Sequence, residues 1–104
     1  MVTDMVVIPK STHNVLQRLT GQYRPDIALS LAIKDLVRLR VDEAQSRIAK
    51  FEKKYNMTFP EFEEACENGK IQAPFSYEAE KDDWGWEAAI TDLETLEEIS
   101  QWLV

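Results

Sequence analysis

The chain has 104 residues, 44% of them hydrophobic and 30% charged, with three glycines, four prolines and a formal net charge of −7. That length is one ordinary domain, and the composition excludes a low-complexity, collagen-like or wholly disordered chain. One cysteine, Cys66, and one histidine, His13, exclude a disulfide framework, a Cys/His zinc site and a Cys–His catalytic pair.

The charge is unevenly divided. Residues 1–40 hold six basic groups against three acids, a balance of +3, whereas the other 64 hold six against sixteen, a balance of −10. The first half suits an anionic partner such as nucleic acid, and the second suits a basic surface. The plainer alternative is that the acid-rich helical faces are simply solvated. No stretch approaches the ~20 apolar residues of a membrane span, and the start carries Asp4 rather than a basic leader segment. The expected setting is cytoplasmic, without a membrane.

Met5-Val6-Val7-Ile8 is a short β-branched run closed by Pro9, and it reads as a strand. Ser11 then caps a predicted helix of about ten residues, with Val15, Leu16 and Leu19 at helical spacing and Gly21 at its end. Pro25 opens a second helix that no further proline or glycine interrupts before Tyr55. Unbroken, it reaches roughly 45 Å at ~1.5 Å per residue. Its first section, with Ile27, Leu29, Leu31, Ala32, Ile33, Leu36, Val37 and Leu39, is apolar on more than one side. Its second section narrows to Val41, Ala44, Ile48, Phe51 and Tyr55, the seam of a helix packed on one other helix. Asn56 stops it, and Thr58 with Glu61 forms the pairing of a capping box for a short third helix ending at Asn68-Gly69. Residues 71–76, with Pro74, form the predicted linker. A last helix over 78–102 carries the apolar line Trp86, Ala89, Ile90, Leu93, Leu96, Ile99 and Leu103.

Nothing in this pattern points to an enzyme. His13 falls in the first turn of a helix, and Cys66 stands among Glu63, Glu64 and Glu67, which oppose a thiolate. Glu78, Glu80, Asp82 and Asp83 alternate without the glycine turn or twelve-residue spacing of a calcium loop, and no glycine-rich phosphate cradle is present. No catalytic residue, metal or cofactor is expected. The unusual segment is the acidic aromatic strip from Tyr77 through Glu80, Asp82, Asp83, Trp84 and Trp86 to Glu87. Two tryptophans at i and i+2 cannot share one helical face, so one of Trp84 and Trp86 is expected to stay exposed. Gly85 between them weakens a helix by about 1 kcal/mol, leaving open an extended strip or a late helix start.

A short strand ending in Ile8-Pro9, a helix ending in Leu19-Thr20-Gly21, and a second helix entered at Arg24-Pro25-Asp26 with Ala28, Leu31, Ala32 and Ile33 together resemble the ribbon-helix-helix family. The resemblance covers about 40 residues and rests on spacing. It implies a mainly α fold, a ribbon-helix-helix-like dimerisation unit followed by two further helices, with residues 1–55 facing DNA and 56–104 binding a partner. The dimer would be built on Val6, Ile8, Leu16, Leu19, Leu31, Ile33 and Leu36. The ribbon positions two, four and six before the proline are Val7, Met5 and Thr3, and Lys10 and Arg24 stand near helix starts as phosphate contacts. Of the ribbon positions, only Thr3 is able to hydrogen-bond a base edge. Many members of the family are antitoxins, and the C-terminal run from Phe51 to Leu103 also resembles small prokaryotic antitoxin-like proteins. On that resemblance the chain is a homodimeric antitoxin that silences a basic toxin nuclease through Tyr77, Glu80, Asp82, Asp83, Trp84, Trp86 and Glu87, with autoregulation of its operon. A stand-alone transcription regulator and a helical adaptor without a DNA role are the alternatives.

Overall fold

The computed structural model describes residues 7–69 and 77–103. All regular structure among them is helical: α1 (Lys10–Thr20), α2 (Pro25–Tyr55), α3 (Phe59–Glu67) and α4 (Tyr77–Ser100). The ribbon-helix-helix expectation is corrected at its first element. Val7 and Ile8 form no strand and lead irregularly into Pro9, the N-cap residue of α1, with Val7 87% exposed. A single extended run gains no ladder hydrogen bonds without a second strand, and no strand exists among the described residues to supply them. The described residues are therefore all-α, and the predicted ribbon positions Thr3, Met5 and Val6 lie outside them.

The helix boundaries follow local chemistry. α1 is capped two residues before the expected Ser11, on Pro9, whose carbonyl accepts from the His13 N–H at 3.0 Å; no side chain caps it. Gly21 closes it in the left-handed region at φ 69°, where glycine carries no Cβ penalty. α2 starts with Pro25 in its first turn and runs unbroken for 31 residues to Asn56, a left-handed cap at φ 53°. The capping box of α3 is complete: Thr58 Oγ1 accepts from the Glu61 N–H at 3.4 Å, and Glu61 Oε1 accepts from the Thr58 N–H at 3.0 Å. The Thr58 N–H and the Thr58 hydroxyl, both donating to Glu61 Oε1, hold the Glu61 carboxyl below its ordinary pKa.

α4 packs back along the second section of α2, and α3 closes the end where they meet. The core there is aromatic. Trp86 is fully buried, its ring centroid 5.5 Å from Phe51, 6.0 Å from Tyr55, 5.4 Å from Phe59 and 5.3 Å from Phe62. Ala44, Phe62, Ala65, Ala79 and Ala89 complete the buried set around it. Gly85 lies inside α4 rather than at a late start. A Cβ built on it would stand 3.3 Å from Phe51 Cζ, so the absence of a side chain lets the Phe51 ring approach.

The N-terminal half is different in kind. No residue of α1 is buried, and in α2 only Ala28 and Ala44 are. The molecule extends 57 × 32 × 22 Å with a radius of gyration of 20.0 Å, well above the ~13 Å of a compact chain this long.

Candidate functional site

Helical periodicity divides the acidic aromatic strip into two faces. Tyr77, Glu80, Asp83, Trp84 and Glu87 follow the i, i+3, i+4, i+7 spacing of one stripe, and Ala79, Asp82, Trp86 and Ala89 follow that of another. The second stripe meets α2. Trp86 is therefore core, not a binding residue, and its buried indole N–H has no acceptor among the described residues.

Asp82 joins the same inner face. Its Oδ2 accepts from Lys54 Nζ at 2.6 Å and from the Tyr55 hydroxyl, and Glu78 Oε1 takes Lys54 at 2.7 Å. Burial works against the Asp82 charge, but the Lys54 and Tyr55 hydrogen bonds outweigh it and hold its carboxyl below the usual range. Lys54 is pushed up by its bonds to Asp82 and Glu78. The Tyr55 hydroxyl is pushed up to about 12 by burial and by its bond to Asp82. The cluster fastens the start of α4 to the end of α2, with Arg47–Asp92 at 3.0 Å as a second tie farther along.

The outer stripe faces a cleft. Glu80, Asp83 and Trp84 line one wall with Ala79, and α3 supplies the other through Glu63, Cys66 and Glu67; the volume is about 420 Å³. Trp84 is 67% exposed at this cleft, and Tyr77 is exposed farther up the same stripe. Glu87 is exposed on the same stripe, beyond the cleft lining. Burial raises the Asp83 carboxyl, helped by Glu87. Burial likewise raises the Cys66 thiol, with Asp83 and Glu63 adding to it, so the cysteine is a neutral wall residue. Glu63, Cys66 and Glu67 share an i, i+3, i+4 spacing that places them together on α3, but nothing in the sequence alone puts that face opposite Glu80 and Trp84.

The predicted DNA-facing set is dispersed. Thr3 and Met5 lie outside the described residues, Val7 is apolar and exposed, and Lys10 is an exposed first residue of α1. Arg24 is paired to Asp26 at 2.7 Å on the surface. Among the dimer residues, Ile8, Leu16 and Leu31 are half-buried, while Leu19, Ile33 and Leu36 stand exposed. Among the described residues no group of three or more His, Cys, Asp or Glu is arranged to hold a metal ion. No helix among them is long and apolar enough to cross a membrane. Comparison of the chain with protein-family models, with curated proteins and with solved structures finds no match.

Proposed function

We propose that the chain is a binding protein of the antitoxin type, which neutralises a basic protein partner, in the first instance a toxin nuclease, through the cleft between α3 and α4. The observation that carries this reading is Trp84, two-thirds exposed beside four carboxylates, Glu63, Glu67, Glu80 and Asp83. A lysine or arginine entering the cleft meets acidic groups on both walls and a tryptophan face, the pairing that favours cations. Tryptophan is also among the residues enriched at the energetic centres of protein interfaces. The −10 balance of residues 41–104 extends the attraction beyond the cleft and speeds encounter with a basic surface. The acids are not all free for this. Asp82 and Glu78 are engaged by Lys54, so the binding stripe is Tyr77, Glu80, Asp83, Trp84 and Glu87.

The test is co-expression with the products of the adjacent genes, followed by a ribonuclease assay of any captured basic protein with and without the chain. The expected result is a toxic or RNA-cleaving partner that the chain silences, with Trp84→Ala or Asp83→Lys weakening the complex at least tenfold. No basic partner, or one held equally well by both variants, would overturn the reading.

A further inference from the structure

A second surface lies at the far end of the molecule and is independent of the acidic cleft. α1 is strongly amphipathic, yet of its apolar residues only Leu16 is half-buried. The residues half-buried against α2 are His13, Leu16, Gln17 and Thr20, at spacings of three, one and three. Val15 and Leu19 are turned away, with Leu19 77% exposed. In α2 the seam that meets α4 runs through Val41, Ala44, Ile48, Phe51 and Tyr55. At 100° per residue Leu36 and Leu39 sit about 100° and 160° from the middle of that seam, and Ile33 lies about 40° from it, at its edge; all three are about half exposed. Two apolar stripes on adjoining helices thus stand exposed among the described residues.

We propose that these stripes, Val15 and Leu19 on α1 with Ile33, Leu36 and Leu39 on α2, form the interface between two copies of this chain. Three observations select a second copy as the occupant. The first is the missing core: Ala28 is the one buried residue between Val7 and Glu43, and a pair of helices needs a buried apolar face to stay ordered. The second is charge. Arg24, Arg38 and Arg40 around these stripes are already paired within the chain to Asp26, Asp35 and Glu43 at 2.7, 3.1 and 3.0 Å. These three pairings offset the guanidinium charges that would otherwise repel an identical surface. The acidic cleft lies beyond Tyr55, ~28 Å farther along α2, so pairing through the N-terminal halves keeps the two acidic ends apart. The third is area. Burying the exposed parts of these five side chains, with Ile27 beside them, removes on the order of 500 Å² per copy, a large share of the ~800 Å² per partner of a standard interface. This geometry pairs helices and requires no strand.

The experiment is sedimentation equilibrium of the full chain at roughly 10–100 μM, concentrations that span weak to moderate dimers. The expected mass is twice the 12.1 kDa of one chain. Leu36→Asp and Leu19→Asp should each raise the dimer dissociation constant at least tenfold with α-helical circular dichroism retained, and Leu36→Gln serves as a milder companion should the aspartate reduce helicity. A wild-type chain that stays at monomer mass throughout, or variants that dimerise like the wild type, would overturn the proposal.

Discussion

The two tryptophans flanking Gly85 should respond in opposite ways to truncation. Trp86 is fully buried among four aromatic rings. An aromatic side chain buries ~150–250 Å², which at ~25 cal/mol per Å² corresponds to about 4–6 kcal/mol. Measured truncations of buried aromatics to alanine cost about 3–5 kcal/mol, so Trp86→Ala should lose that much. Domains of this size have about 5–15 kcal/mol in total, and the variant should therefore be marginal or unfolded at room temperature. Trp86→Phe keeps a ring and removes an indole N–H that has no acceptor among the described residues, and should cost less than about 1.5 kcal/mol. Trp84→Ala removes a side chain already largely in water and should stay within about 0.5 kcal/mol of the wild type. Urea unfolding followed by far-ultraviolet circular dichroism measures all three. Equal losses for Trp84→Ala and Trp86→Ala, or a larger loss for Trp84→Ala, would refute the helical register on which both the core and the cleft rest.

Three further outcomes are expected. Tyr55 is neutral with its pKa raised to about 12 in the folded chain against about 10 unfolded; its contribution is complete below pH 10 and is lost as pH rises toward 12. At ~1.4 kcal/mol per unit, discounted for partial solvent access, the loss is about 1–2 kcal/mol. Lys54 is also raised and acts in the same direction, so a pH series of urea midpoints should fall from about pH 10, and a flat series would contradict the Lys54–Tyr55–Asp82 cluster. Thr58→Ala removes the acceptor for the Glu61 N–H and should cost about 1 kcal/mol by urea midpoint, whereas no change would mean that the capping box carries no stability. Gly85→Ala gains ~1 kcal/mol of helix propensity but drives a methyl to 3.3 Å from the Phe51 ring, which is held in its stack on Trp86. A net loss of about 1 kcal/mol is expected, and a raised midpoint would show that the ring moves aside freely.

What the sequence made legible was local. Pro25, Asn56 and the Thr58/Glu61 pair each fix a helix end through their own backbone chemistry, so those boundaries needed no knowledge of the fold. The Val41-to-Tyr55 seam was legible because its three-four spacing repeats long enough to define a face. The β-branched pair Val7-Ile8 was misleading for the opposite reason, since strand formation depends on a second strand that local composition does not reveal. Asp82 looked like its acidic neighbours until packing set Lys54 and Tyr55 beside it, across 28 and 27 residues of chain. The α3 wall of the cleft was hidden for the same reason: the facing of two helices is a property of packing, which their own sequences do not spell out.

The unbroken length of α2 bears on how the two ends of the molecule influence each other. An unbroken helix with no proline or glycine after its first turn has none of the usual kink sites through which the two ends would move separately. Trp84 lines the cleft with α3, and ~28 Å of helix separates Leu36 from the end of α2 at Tyr55. Substitutions at the two positions should add without coupling, each end behaving as a separate thermodynamic compartment. Evolution is then free to retune the affinity of the acidic cleft while leaving self-association untouched.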